Sequence, residues 1–205
     1  MRIVRIENSK RVQERVLVYL EEGDPLRITA RELLQFGLYQ GMDVSPELMV
    51  QLQASGVRSE SRVKAARLAS SRMLSRRELA ERLERKGIDP DTAGETVDWL
   101  ESLGAVDDAA YAGAIARHYG AMGYGAARVR QELQKRGIPR ELWQDALSQL
   151  PDPAEAIETF LQAKLRGRVP DRAALKKLSD ALLRRGFSWQ DIRPALNRLG
   201  EEIEE

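Results

Sequence analysis

The sequence predicts a mainly α-helical protein: an elongated array of three three-helix repeats, preceded by a small strand-rich N-terminal module. A helix–glycine–helix segment occurs three times, with its glycines at Gly87, Gly137 and Gly186. In each copy, apolar residues recur four apart before the glycine and four then three apart after it, which is the spacing of one helix face. A repeat of this period is typical of helical arrays, which bind extended partners along a surface.

Residues 1–59 form the predicted α+β module. Residues 2–6 alternate polar and apolar side chains and residues 12–20 are rich in valine, so both segments predict strands, and residues 26–28 are a third candidate. Thr29 and Glu32 have the spacing of a capping box, which predicts a short helix that ends at Gly37. Pro46 is placed to begin a second short helix, which we expect to end at Gly56.

The repeats are predicted at residues 60–106, 107–151 and 152–200, followed by an acidic tail at 201–205. The first repeat should contain helices near 61–73, 75–86 and 90–103, with Ser75 and Glu78 as a capping box and Asp89 before a proline at the third helix start. Breaks are expected at 120–125 and 137–139 in the second repeat, and at 167–171 and 186–188 in the third. Pro194 should kink the last helix or delay its start.

Composition excludes several kinds of site. The chain has no cysteine and one histidine, which rules out disulfides and thiolate metal sites and argues against a histidine-based one. Asp107 and Asp108 are adjacent at a helix start, where aspartate is a favoured N-cap, so they do not predict a catalytic carboxylate pair. The glycine-rich segment 120–125 follows no strand and precedes no Gly-Lys-Ser/Thr, and His118 has no identifiable catalytic partner. We therefore predict no catalytic, cofactor or metal residues, and a protein that is not an enzyme.

The chain lacks a run of 18 apolar residues and an apolar signal-peptide core, which predicts a cytoplasmic protein without a membrane span. We expect a monomer.

Charge is unevenly distributed along the chain. The net charge is +1, but residues 160–198 contain ten Lys and Arg against three Asp, a local charge of +7. A solvated helix face is one explanation. The other is a surface that meets an acidic protein or a phosphate backbone.

Two basic residues precede each repeat glycine: Arg85 and Lys86, Lys135 and Arg136, and Arg184 and Arg185. Cations in the last turn of a helix offset its macrodipole, and the same side chains can also contact phosphate or carboxylate groups. The candidate partner-binding residues are Arg117, Arg128, Arg130, Lys135, Arg136, Lys164, Arg166, Arg168, Lys176, Lys177, Arg184 and Arg185.

Residues 104–112 together with 129–138 resemble the central signature of the RecX regulatory proteins, and residues 75–87 resemble it again in the preceding repeat. Residues 29–41, with Phe36, Gly37, Leu38 and Gly41, resemble the longer members of the family. The resemblance implies a bacterial protein of DNA repair, homologous recombination and the SOS response that binds the RecA recombinase filament in its groove. It also implies inhibition of filament extension, ATPase, strand exchange and co-protease activity, with non-specific contact to single- or double-stranded DNA.

A stand-alone DNA-binding or transcription-regulating module is the alternative. Helix–glycine–helix segments superficially resemble a helix-turn-helix. The small net charge and the absence of a helix rich in base-reading polar side chains argue against this alternative.

Overall fold

A computed structural model describes residues 1–9 and 15–204, with side chains to residue 200. The chain forms two compact units: Met1–Arg72 with Leu79–Ala105, and Met73–Glu78 with Val106–Glu205. The described part is mainly helical, with one small antiparallel sheet near the N-terminus. The predicted fold class, helical repeats after a strand-rich module, is confirmed.

The sheet of the first unit has the order β1 (Ile3–Asn8), β2 (Arg15–Leu20), β3 (Leu26–Thr29). The three predicted strands are confirmed, while the proposed start of the second strand at residues 12–14 lies outside the described residues. Because side chains alternate across a strand, one face of the sheet is apolar. It packs into a core formed by Ile3, Val16, Val18, Leu20, Ile28, Leu38, Val44 and Leu52.

Helix α1 (Ala30–Gln35) begins at the predicted capping box. The Glu32 amide donates to Thr29 Oγ1 at 3.1 Å, and the Thr29 amide donates to Glu32 Oε2 at 2.6 Å. Gly37 follows the helix with φ of +60°, a left-handed conformation that glycine adopts without strain.

Helix α2 (Pro46–Ser71) corrects one prediction, because it does not end at Gly56. An added Cβ at Gly56 would lie 3.1 Å from the carbonyl oxygen of Arg27 on β3. The glycine therefore permits close approach of helix and sheet, which offsets its helix-interior cost of about 1 kcal/mol. The helix also runs across the predicted module boundary at residue 59.

After α2 come helices α3 (Arg76–Glu84) and α4 (Pro90–Ser102). Their bounds agree with the predicted helices near 75–86 and 90–103 to within two residues. Ser75 caps α3 and Asp89 caps α4, as expected. Within the first unit α4 packs on α2, where the buried Ser61 and Thr96 hydroxyls are 2.8 Å apart.

The second unit continues with α5 (Asp108–Ala121), α6 (Ala126–Arg136), a 3-10 turn (Arg140–Leu142) and α7 (Trp143–Leu147). Helices α8 (Pro153–Leu165), α9 (Arg172–Arg184) and α10 (Trp189–Glu204) complete it. The predicted breaks are confirmed. The repeated apolar positions form two cores, one including Val129, Leu133 and Ile138, the other including Leu178, Leu182 and Ile192.

Pro194 lies inside α10, which starts five residues earlier at Trp189, so the predicted delay of the helix start is wrong, while the alternative of a kink stays a prediction. The start is fixed by Ser188 and Asp191: each backbone amide donates to the other's side chain at 3.2 Å. This reciprocal cap holds the first turn before the proline is reached.

No helix in the described ranges combines the length and apolar character needed to cross a membrane.

Candidate binding surface

Helix α9 presents three of the twelve predicted basic residues on one exposed face. Leu178 and Leu182 point into the core, whereas Lys176, Lys177 and Arg184 are exposed. At 100° per residue these cations lie on the side of α9 away from the leucines. We call them the α9 basic face.

Two of the three aspartates in residues 160–198 cap helix starts. Asp171 Oδ1 accepts the Ala174 amide at 2.6 Å at the start of α9, and Asp191 Oδ2 accepts the Ser188 amide at 3.2 Å at the start of α10. These carboxylates sit at helix N-termini, where the macrodipole favours them. The third acid, Asp180, is exposed in the middle of α9, so the α9 basic face carries three cations and one carboxylate, a net charge of +2.

The loop between α8 and α9 adds Arg166 and Arg168, both exposed. Arg166 has φ of +50°, the left-handed conformation with which α8 ends. Lys164, in the last turn of α8, lies 5.9 Å from the ring centre of Phe160.

Arg185 is turned into the protein. Its Nη1 donates to the carbonyl oxygens of Met122 and Gly123 at 3.0 Å each, and its guanidinium lies 4.9 Å from the Phe160 ring centre. The Arg185 carbonyl in turn accepts the Gly125 amide at 2.9 Å. The C-terminus of α9 therefore meets the N-terminus of α6, and both the side chain and the carbonyl of Arg185 form hydrogen bonds across this junction.

Arg136 occupies the corresponding place at the end of α6. Its guanidinium contacts Glu132 Oε1 at 2.8 Å, and Glu78 Oε1 and Tyr111 Oη at 3.1 Å. The Ser75 hydroxyl donates to the Arg136 carbonyl. The end of α6 thus meets residues 75–78, the turn in which α3 begins.

The charges of this second junction depend on each other. Burial by itself raises the pKa of Glu132, but the hydrogen bond and charge of Arg136 outweigh it and hold that pKa below its ordinary value. The hydrogen bond from Arg136 to Glu132 raises the pKa of the guanidinium, so the pair stays ionised at neutral pH.

The structure therefore divides the predicted site residues into exposed ones and ones whose side chains make contacts within the second unit. In the two later doublets, the second residue (Arg136 or Arg185) faces the junction and the first (Lys135 or Arg184) is exposed. The four-residue spacing of Glu132 and Arg136 is the sequence signal that could have identified their ion pair.

The remaining candidates lie on α5 and α6. Arg117 Nη1 donates to the Gln149 side chain, and Arg128 lies 5.9 Å from the Tyr119 ring centre. Arg130 is exposed on α6. Sequence reasoning did not select Arg172, an exposed residue one helical turn before Lys176; the four-residue spacing would have identified it.

Among the described side chains, residues 1–9 and 15–200, no three His, Asp or Glu are grouped to hold a metal ion.

The architecture and the cationic helix face define a class of tandem three-helix-domain proteins with an N-terminal sheet. Residues 62–100 match the family model for the first three-helix domain of RecX, and residues 107–147 match the one for its second. The regulatory protein RecX of Xanthomonas axonopodis pv. citri is 35% identical over 123 residues, which cover 59% of this chain and 76% of the relative. The chain belongs to the RecX family of regulatory proteins, as its signature residues predicted.

Relatives and solved structures extend the match over the chain. The regulatory protein RecX of Streptococcus gordonii is 27% identical over 208 residues, covering 100% of this chain and 79% of the relative. A crystal structure of regulatory protein RecX shares the fold, with a TM-score of 0.75 at 23% identity, over 94% of this chain and 97% of that one. The crystal structure of RecX from Lactobacillus salivarius has a TM-score of 0.64 at 26% identity, over 70% of this chain and 97% of that one.

Proposed function

We propose that this protein is a cytoplasmic, monomeric, non-enzymatic regulator that binds the RecA recombinase filament and inhibits its extension, ATPase, strand-exchange and co-protease activities. The observation that carries the proposal is membership of a family of regulatory proteins through matches to both of its three-helix domains. Direct, non-specific contact with the DNA of the filament is part of the proposal.

The α9 basic face is the contact surface that we propose. Its three cations are exposed on a rigid helix whose opposite side is buried in a core. A cationic face of this kind complements either acidic protein surface or DNA phosphates. Several weak contacts along a filament would add through effective concentration.

Arg136 and Arg185 contribute indirectly in this proposal. Their guanidinium groups are engaged with Glu132 and Glu78, and with the Met122 and Gly123 carbonyls, respectively. We assign them the role of holding the second unit together, and the exposed Lys135 and Arg184 the role of meeting the partner.

The test is RecA ATPase activity on single-stranded DNA and RecA-driven strand exchange, each titrated with this protein. We expect inhibition by the wild type, and a concentration for half inhibition about tenfold higher for Lys176→Glu with Arg184→Glu, because two contacts become repulsive. The matched control is Arg31→Glu with Arg58→Glu, which makes the same charge change at exposed positions of the first unit. We expect the control to inhibit like the wild type.

Two results would reject the proposal. If saturating wild-type protein did not inhibit RecA, RecA would be rejected as the partner. Tight, sequence-selective binding to naked duplex at physiological salt, without an effect on RecA, would favour the stand-alone DNA-binding alternative.

A further inference from the structure

The N-terminal sheet has a second face that does not belong to its core. In the strand register Arg5 pairs with Tyr19, Glu7 with Leu17, and Leu17 with Arg27. Since residues directly opposite one another project to the same side, these five side chains share one face. The family match through the three-helix domains begins at residue 62 and gives this face no role.

Helix α2 supplies a wall beside this face. Glu60, Val63, Lys64 and Arg67 lie three or four residues apart and thus on one side of α2. Together with the sheet they line a half-open cavity of about 860 Å³. We call this cavity the sheet trough; its lining also includes Asn8, Ser9 and Arg15, and the whole of it lies in the first unit.

Cations outnumber carboxylates around the sheet trough. Glu7 is paired with Arg5 at 3.4 Å and Glu60 with Lys64 at 2.9 Å. Among the described residues, Arg15, Arg27 and Arg67 are the other charged groups here, so five cations face two carboxylates, a local charge of +3. That excess is available to an anionic ligand.

Arg15 is the buried member of this set, with 9% of its surface exposed. Its Nη1 donates to the Arg27 carbonyl at 3.1 Å and to the Ser59 hydroxyl at 3.0 Å. Both acceptors are neutral, so these bonds orient the guanidinium without cancelling its charge. Hydrogen bonds and, to a smaller extent, the nearby charge of Arg15 lower the pKa values of the Glu32 and Glu60 carboxylates, so the charge of Arg15 is partly compensated. The anionic ligand would therefore bind to the excess of cations around Arg15.

The floor of the trough is apolar and partly aromatic. Leu17, Tyr19 and Val63 line it, and the Arg5 guanidinium lies 4.1 Å from the Tyr19 ring centre. A ligand that fits must combine a flat apolar part with negative charge. Nucleotides have that composition, and bases stack on aromatic rings and on arginine planes.

We propose that the sheet trough binds a short segment of single-stranded nucleic acid, with a base against Tyr19 and Leu17 and phosphates at Arg27 and Arg67. An acidic peptide fits less well. Strand β2 is paired with β1 on one side and β3 on the other, so an extended peptide lying over this face would find no free backbone partners there. DNA contact is already part of the proposed function; this proposal adds a separate nucleic-acid site, on the N-terminal sheet and distinct from the α9 basic face, that requires no RecA.

The test is fluorescence anisotropy of a labelled oligothymidylate of about 12 nucleotides, a length within the usual site sizes, titrated with the full chain in the absence of RecA. The test variant is Arg27→Glu with Arg67→Glu. The control is again Arg31→Glu with Arg58→Glu; Arg58 precedes Arg67 by nine residues and so lies on the opposite side of α2. All proteins also carry Lys176→Glu and Arg184→Glu, which removes the α9 basic face from the comparison.

We expect the test variant to bind at least about tenfold more weakly than its parent, and the control to bind within about threefold of it. The dependence of log K on log salt should flatten by about 1.4 in the test variant, since each lost phosphate contact on a single strand contributes about 0.7. With a 5-iodouracil oligonucleotide, which crosslinks to aromatic side chains, the peptide containing Tyr19 should be the principal adduct.

Equal weakening in test variant and control would overturn the proposal, because only overall charge would then matter. Binding of labelled polyglutamate, with no binding of the oligonucleotide, would overturn it in favour of an acidic peptide. Thermal melting identifies any variant that fails to fold, and Tyr19→Leu, with the same weakening expected, then replaces the charge reversal. Inhibition of RecA by the wild-type protein, measured in parallel, separates the two proposals, because either proposal can fail while the other holds.

Discussion

Arg136 and Arg185 show how the same residue type at the same repeat position can serve the interior instead of a partner. Both directly precede a repeat glycine. The Arg136 side chain contacts Glu78 at the start of α3, and the Arg185 side chain contacts two backbone carbonyls between α5 and α6. Lys86, the corresponding residue of the first repeat, is exposed. Position in the repeat is therefore not sufficient to decide the role of a cation, because that role depends on the neighbour that the fold supplies.

Replacing Arg136 tests this internal role. Arg136→Met should lower the free energy of unfolding by about 2 kcal/mol, because Glu132 stays buried without its counter-charge. Lys135→Met, at the adjacent exposed position, should change it by less than about 0.5 kcal/mol. Urea denaturation at neutral pH measures both, and equal effects would contradict the assignment.

The pH dependence of the Arg136→Met effect follows from the lowered pKa of Glu132. A carboxyl whose pKa is lower in the folded state than in the unfolded state stabilises the protein above the unfolded pKa, and this contribution disappears as pH falls through the folded pKa. The difference between wild type and Arg136→Met should therefore be largest at neutral pH and shrink below about pH 4. A difference that grows with acidification would contradict the pairing.

At the scale of elements, the repeat glycines share one backbone conformation but differ in surroundings. Gly87 and Gly186 have φ of +80° and +89°. An added Cβ at Gly87 meets no described atom within 4 Å, whereas at Gly186 it would lie 2.4 Å from the Arg128 amide nitrogen. Gly186 thus allows both the left-handed turn and the close packing of α9 against α6.

These surroundings predict different costs for the same substitution. Gly87→Ala should destabilise by about 1–2 kcal/mol through the left-handed conformation alone. Gly186→Ala should cost about 1–3 kcal/mol more, because the methyl group overlaps backbone that a side-chain rotation cannot move. Denaturant titration of both variants measures the difference, and equal costs would show that the close approach is unimportant.

Element boundaries are predictable where a local signal controls them. The capping residues Thr29, Ser75 and Asp89 fix helix starts through hydrogen bonds within one turn, so the sequence contains the information. Gly56 misleads a prediction from sequence because its role is set by β3, which is distant along the chain. Pro194 misleads it as well, because the reciprocal cap of Ser188 and Asp191 fixes the start of α10 ahead of the proline.

At the scale of the molecule, each unit has its own core. Leu52 is fully buried among the strands of the first unit, and Leu182 is fully buried among α8, α9 and α10 of the second. Separate cores give units that can open independently of each other.

Hydrogen exchange tests this independence. Leu182→Ala should remove about 2–5 kcal/mol from the core that it leaves, and so accelerate exchange in α8–α10 while peptides from β1–β3 keep their rates. Leu183→Ala is the control, since the neighbouring leucine is 45% exposed and should change little. Uniform acceleration along the chain would show that the two units unfold together.

The sequence by itself determined the helical class, the three repeats, most helix ends and the family. Periodicity and capping act over one or two turns, and the family signature is carried by the residues themselves. The tertiary structure alone decided which cations are exposed and which make contacts inside the second unit, and it alone revealed the sheet trough. These properties depend on contacts such as Arg136 with Glu78 and Arg15 with Ser59, between residues 58 and 44 positions apart, which no local pattern encodes.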